Sequence, residues 1–267
     1  MAHGIRSVDT QSGIEAVCKS LLPDSGQVKV LVLNSDSKLG HWFSGILNQD
    51  ERAQCQSYRK PIDQLCIATM RGLWKIGAAA LTSTHPNEIH DRRSPFGRPI
   101  LLDRNGRVFD PKFDLNVSRT GSWCGIVISG AGRCGIDIEQ IDPGVINSDL
   151  IELLANIWTG IDSSSNELEQ KPQRFFERWT QLEAVLKADG CGLSGGFEGI
   201  QAVPSGTDQG VCLQLNSKTW MTRPIRTPSC VVGTCTFDDE HGSLVEIDVS
   251  EFEQQCMSAF SARVNTV

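Results

Sequence analysis

The segment CGIDIE (134–139) sets two carboxylates, Asp137 and Glu139, two residues apart inside an otherwise apolar run. In an extended strand, residues i and i+2 share a face. Ile136 and Ile138 then turn the other way, toward a core. Carboxylates side by side repel unless a cation, a proton or a basic side chain lies between them. A chain with this segment must therefore bury one face of the strand and bring something positive to the other.

A second segment answers to the first. RFFERWTQLEAVLKADG (174–190) carries apolar residues at 175, 176, 179, 182, 185 and 186, the spacing of one helical face, and Gly190 stands where the helix ends. Glu183 and Lys187 are four apart and project from one side of that helix. Alone, such a pair is a surface ion pair worth about 0.2–0.5 kcal/mol. Likewise a lone pair of strand carboxylates is ordinarily met by water. Together, the strand and the helix offer three carboxylates for one hard cation, for which Mg²⁺ is suited because it keeps waters and phosphate oxygens among its ligands. A lysine one turn beyond the third carboxylate would neutralise phosphate charge, an arrangement for phosphoryl transfer.

The rest of the chain frames these two segments. VKVLVLN (28–34) reads as a buried strand. From about Gly40 to Leu81 the pattern is helical, with Pro61 where one helix stops and the next begins. Residues 82–112 are a connecting region rich in Pro, Asp, Arg and Gly that holds FGRPILL (96–102). WCGIVISG (123–130) and CGIDIE read as two strands joined by Ala131-Gly132-Arg133, either a hairpin or a crossing between halves. IELLANIW (151–158) reads as helix, and VCLQL, CVVGTCTF and LVEIDV as short strands. The class is α+β. Trp158, Phe175 and Trp179 read as core, and Cys191 as packing. His85 and His90 in HPNEIH read as solvated loop residues, since the spacing is not that of HExxH.

Composition narrows the partners. A formal charge of −7 over 267 residues speaks against a nonspecific nucleic-acid binder. The 10 cysteines form no CxxC pair, and the 5 histidines do not interleave with them at zinc-site spacing. No apolar run approaches membrane-spanning length, and the first residues lack a secretion-signal pattern. The expectation is a cytoplasmic protein with free thiols, no membrane partner and a monomeric state.

CGIDIE and FFERWTQLEAVLKADGCGL, with Glu183 lying 46 positions beyond Asp137, resemble the 4′-phosphopantetheinyl transferases of the large, surfactin-type class. FDLNVSRTGSW (113–123) is similar to their F-N-[IL]-S-H-S-G segment and FGRPILL to their G-K-P turn, in the same order over residues 96–193. The resemblance implies two similar α/β lobes related by a pseudo-twofold axis, 1–131 and 132–267, with the carboxylates in the second. It implies Mg²⁺-dependent transfer (Mn²⁺ as substitute) of the phosphopantetheine arm from coenzyme A to a serine of an acyl or peptidyl carrier protein, releasing 3′,5′-ADP. Asp137, Glu139 and Glu183 would hold the metal. Glu183, or a carboxylate-bound water, would take the serine proton, and Lys187 would offset charge on the leaving phosphate. Ser118 and Arg119 would address a phosphate of the coenzyme, Arg98 and Pro99 the adenine side, and Arg52, Arg71 and Lys75 would add cations from the helical half.

Two positions depart from that pattern. Arg119 stands in place of histidine, which keeps the cation and adds a bidentate fork. Leu182 stands where a lysine normally precedes the catalytic glutamate, so an apolar side chain is expected beside the coenzyme phosphates, and Leu182→Lys is expected to raise affinity. The alternative use of such a fold is to bind a carrier protein or nucleotide without transfer, or to act differently on a carrier-bound substrate.

Overall fold

The period-2 pattern of three central segments becomes three strands that meet at one seam. The computed structural model describes residues 11–89, 92–103, 105–161, 165–204, 211–237 and 242–254. In chain order these form α1 (Gln11–Leu21), β1 (Gln27–Asn34), α2 (Lys38–Gly45), α3 (Gln49–Gln56), α4 (Pro61–Thr82), β2 (Arg92–Arg93), β3 (Pro99–Ile100), β4 (Asp114–Thr120), β5 (Trp123–Ser129) and β6 (Cys134–Gln140). Then follow α5 (Ser148–Ile157), α6 (Ser165–Gln170), α7 (Pro172–Asp189), β7 (Gln201–Pro204), β8 (Val211–Leu215), β9 (Lys218–Pro224), β10 (Val231–Phe237) and β11 (Ser243–Glu246). The fold is α+β.

One sheet has the order β11-β1-β5-β4 and the other β6-β10-β9-β8-β7. β5 and β6 are therefore not a hairpin. The turn at 130–133 carries the chain from one sheet to the other, and Gly130 is tied back by hydrogen bonds to Gly26 and Gln27 at the start of β1. β11 returns to the first sheet, parallel to β1.

Helix α4 begins with Pro61 at its first turn, where a missing N–H costs nothing. It lies across β4 and β5, and its Leu73 and Ile76 join Leu31, Leu33, Ile126 and Ile128 in one core. The opposite face of that sheet, Val28, Val30, Val32 and Val127, packs on Cys134, Ile136 and Ile138 of β6 and on Cys235 and Phe237 of β10. Ile136 and Ile138 thus point into a core, as their alternation with the carboxylates requires. On the far side of the second sheet, α7 buries Phe175, Phe176, Leu182, Val185 and Leu186 against Trp158, Leu213 and Trp220. Gly190 ends α7 with φ of 91°, a left-handed cap that favours glycine.

Gly135 decides how closely β6 and α7 approach. A Cβ there would lie 2.1 Å from the Ala184 carbonyl oxygen and 2.8 Å from the Ala188 nitrogen. Only a residue without a side chain allows this backbone-on-backbone contact. It brings the next residues on that face of β6, Asp137 and Glu139, up to the side of α7 that carries Glu183 and Lys187.

Candidate active site

β4 and β6 are edge strands of different sheets, and side chains rather than backbone close the gap between them. The β6 amides of Cys134, Ile136, Ile138 and Gln140 donate to Asp114 Oδ2 (3.0 Å), Asn116 Oδ1 (3.4 Å), Ser118 Oγ (3.4 Å) and Thr120 Oγ1 (2.9 Å). Alternate residues of β4 therefore satisfy alternate amides of β6, which would otherwise be orphaned at a buried edge. Asp114, Asn116 and Thr120 were not singled out from the sequence. Their signal is the polar period of two in D-L-N-V-S-R-T.

Three of the expected site residues meet on this seam. Lys187 Nζ lies 2.5 Å from Asp137 Oδ1 and 2.9 Å from Ser118 Oγ, and Ser118 Oγ in turn donates to Asp137 Oδ1 at 2.9 Å. Glu183 Oε2 is 4.0 Å from Lys187 Nζ. Thr120 donates to Glu139 Oε2 at 3.1 Å. Asp137 is 1% exposed, and its second oxygen, Oδ2, is buried with no hydrogen-bond partner. A buried carboxylate oxygen left unpaired is unusual, because the desolvation goes uncompensated.

The charges at the site do not balance: three carboxylates face one ammonium. Burial, and then the charge of Asp137, push the Glu139 carboxyl up to about 7. The same two causes, in the same order, raise Glu183 to about 7, against the Lys187 charge and a hydrogen bond from Trp179, which act the other way. Burial alone would lower the Lys187 ammonium, but Asp137, Glu183 and Glu139 outweigh it and hold the group above its ordinary value. Among the described residues no three His, Cys, Asp or Glu side chains are arranged to hold a metal as they stand. The chemistry of the donor set nevertheless suits a hard dication: two carboxylates hard to ionise without one, and an Asp137 oxygen that lacks a partner.

Other expected site residues lie elsewhere. Ser118 and Arg119 are neighbours on β4 and so project to opposite faces. Ser118 reaches Asp137, whereas Arg119 is on the α4 side, near Cys66 and Cys124. On that side Arg71, Lys75, Trp74, Pro99, Arg93 and Val117 help line a cavity of about 270 Å³. Lys75 is buried there, and both oxygens of Glu51 accept from its Nζ, at 2.8 and 3.0 Å. Arg71 donates to Gln54 Oε1 at 2.8 Å. Arg52 is exposed, with a contact to the Gly45 carbonyl at 3.3 Å. Arg98 is turned inward: its guanidinium donates to the Lys187 carbonyl, to Asp114 and, at 3.1 Å, to the Cys134 carbonyl.

Leu182 corrects an expectation. It is fully buried in the core against Trp158, Val185 and Leu186, not beside a phosphate. Adjacent helical residues are about 100° apart, so the residue before Glu183 turns to the other side of α7. His85 caps a short 3₁₀ turn by accepting from the Asn87 amide at 3.2 Å, and His90 lies outside the described residues. An open groove of about 1150 Å³ beside the N-terminal half of α7, lined by Arg174, Arg223 and Thr234 among others, includes none of the three carboxylates. Size alone does not mark the site here.

Comparison with known proteins agrees with this geometry. Residues 133–226, which hold β6 and α7, match the 4′-phosphopantetheinyl transferase superfamily. The chain is 29% identical over 178 residues to a putative 4′-phosphopantetheinyl transferase of Synechocystis sp., covering 67% of this chain and 70% of that protein. It is 27% identical to the 4′-phosphopantetheinyl transferase HetI of Nostoc sp., over 57% of this chain and 63% of that one. A 4′-phosphopantetheinyl transferase of Bacillus pumilus is 30% identical over 48% of this chain and 50% of its own length. The matched stretch thus spans between 50% and 70% of these relatives. Across β6 and α7 the chain is thus similar to the 4′-phosphopantetheinyl transferase superfamily, at the identities of a divergent sequence.

Proposed function

We propose that the seam between β4, β6 and α7 transfers the 4′-phosphopantetheine arm of coenzyme A to a serine of an acyl or peptidyl carrier protein. The serine oxygen bonds to the phosphorus that bears the arm, the bond to the second phosphate breaks, and 3′,5′-ADP leaves. The observation that carries this reading is the gathering of Asp137, Glu139, Glu183 and Lys187 on one face, in a chain whose named relatives are such transferases.

Each residue has a part set by its chemistry. Glu183, or a carboxylate-bound water, would accept the serine proton. Lys187 stays cationic and meets charge that develops on the leaving phosphate. Ser118, within reach of both Lys187 and Asp137, fixes the ammonium and can turn its hydroxyl to a phosphate oxygen. Asp137, Glu139 and Glu183 are the residues that would hold Mg²⁺, or Mn²⁺ in its place. Its contribution would be to neutralise pyrophosphate charge. The cavity of Arg71, Lys75, Trp74 and Pro99 would receive the nucleotide end, with Lys75 released from Glu51 or shared with it. We take the protein to work as a cytoplasmic monomer; no described helix is long and apolar enough to cross a membrane. The two lobes, 1–131 and 132–267, would be related by a pseudo-twofold axis.

Incubation with an apo carrier protein, coenzyme A and Mg²⁺, followed by mass spectrometry of the carrier, tests the proposal. One added arm per carrier is expected. No mass change with several carriers at saturating coenzyme A would shift the reading to a protein that binds a carrier or nucleotide without transfer. The prior engagement of Lys75 by Glu51 and of Arg71 by Gln54 is the observation on that side.

A further inference from the structure

The Arg98 guanidinium touches three separate parts of the fold, and each has a bearing on the ion pair of Lys187 and Asp137. Its Nη1 donates to the carbonyl of Lys187, in the last turn of α7. Carbonyls of a helical last turn have no donor within the helix, and a cation there is favoured by the helix dipole. Its Nη2 donates to Asp114 on β4 and to the Cys134 carbonyl at 3.1 Å. Asp114 Oδ2 also accepts the Cys134 amide at 3.0 Å, so Asp114 and Arg98 together hold both backbone polar groups of that residue. Cys134 starts β6, three residues before Asp137. The backbone of Lys187 and the start of the strand that carries Asp137 are thus fastened to one guanidinium, whose side chain is only 9% exposed.

We infer that Arg98, with Asp114, is a positioning residue that sets the placement of Lys187 against Asp137, rather than a contact for the coenzyme. Arg98 has no part in lining the cavity that holds Pro99, Arg71 and Lys75. A planar fork whose donors sit on separate nitrogens suits acceptors spread over three segments, whereas a lysine offers its three donors from one nitrogen on a flexible stem. Backbone contacts of Arg98 support its own placement. Its amide donates to Ser94 Oγ at 3.1 Å, and its carbonyl accepts from the Ser94 amide at 2.8 Å. A clasp anchored at its root in this way transmits position.

The inference rests on the transfer reading for its kinetic test, and a second measurement is independent of it. Displacing a catalytic group by about 1 Å costs on the order of a hundredfold in rate. Arg98→Gln is expected to lower kcat by that order while the KM for coenzyme A stays within roughly threefold, the mark of lost transition-state placement. In a Lys187→Met background the same change is expected to cost less than roughly threefold more, since residues acting as a unit are not additive. A KM that rises with kcat retained, or losses that add fully, would overturn the inference and return Arg98 to the coenzyme. The independent measurement is the ¹⁵N spectrum of the lysine ammonium groups, in which the Lys187 signal is assigned by its loss in Lys187→Met. The signal is expected to shift or broaden in Arg98→Gln while the melting temperature shows a folded protein. An unchanged signal would sink the clasp even if the wild type transfers nothing. Should Arg98→Gln not fold, Asp114→Asn keeps an acceptor for the Cys134 amide, removes the ion pair and is read in the same two ways.

Discussion

Replacing Glu183 by glutamine tests the charge imbalance at the seam without any ligand. Glu183 is held at about 7 against an ordinary 4.5, so between those values the folded protein binds a proton that the unfolded chain has released. Stability must then fall as pH rises through that window, because the folded state binds more protons. The contribution is fully present below about 4.5 and lost once pH has passed about 7. A difference of two to three units corresponds to about 3 kcal/mol for one carboxyl, lessened here because Glu139 and Glu183 respond to the same Asp137 charge.

Glu183→Gln is nearly isosteric with the protonated acid and stays neutral at every pH. In the presence of chelator, denaturant unfolding should give variant and wild type equal stability near pH 4. By pH 8.5 the variant should be more stable by about 2–3 kcal/mol. Taking the difference between the two proteins removes every other titrating group common to both. A difference curve flat from pH 5 to 8.5 would refute the reasoning, since Glu183 would then ionise as easily folded as unfolded. Saturating Mg²⁺ together with coenzyme A should reverse the sign, because the wild type then gains a ligand that the variant holds poorly.

Three other substitutions probe the frame. Leu182→Lys should destabilise by more than about 3 kcal/mol through burial of an unpaired charge, and so lower the melting temperature without raising coenzyme affinity; a melt like that of wild type would contradict the core placement. Gly135→Ala should cost about 1–3 kcal/mol by pushing β6 off the Ala184 carbonyl, and should also slow transfer, as read by a melt and a single-turnover assay. Asp137→Ala should abolish the mutual enhancement between Mg²⁺ and coenzyme A in calorimetry; equal coenzyme affinity with Mg²⁺ and with chelator in the wild type would count against metal ligation by this residue.

What could be read from the sequence was what alternation and helical spacing encode. They place Asp137 and Glu139 opposite Ile136 and Ile138, and Glu183 and Lys187 together on one side of α7. They also put Pro61 at a helix start and Gly190 at a helix end. What could not be read depends on which strand edges come together. Nothing local in D-L-N-V-S-R-T says that its polar side chains serve the amides of a strand twenty residues on, because that pairing exists only once two sheets are docked. The same holds for Leu182. A motif aligned by position suggested a phosphate contact, but one residue's rotation about the helix axis takes it into the core. Arg98 and Lys75 show the limit for charged residues: a cation in sequence does not declare whether its partner will be a ligand or, as here, Asp114 and Glu51.

Two features of the seam answer one electrostatic problem. Asp137 is buried with one oxygen satisfied by Lys187 and Ser118 and the other by nothing. Glu139 and Glu183 relieve their own repulsion by holding protons up to about neutral pH. Both arrangements can be exchanged without refolding. A proton leaves a carboxyl near pH 7 readily, and a lysine on a flexible stem can turn from Asp137 toward an arriving phosphate while its backbone stays held at the end of α7. A site that satisfied every oxygen permanently would be more stable and would have to break those bonds before it could receive the pyrophosphate and dication proposed for it. Leaving the three carboxylates two positive charges short when all are ionised keeps that step small, and the rigid parts around them, Gly135 against Ala184 and the β4 side chains against β6, keep the carboxylates from moving apart in the meantime.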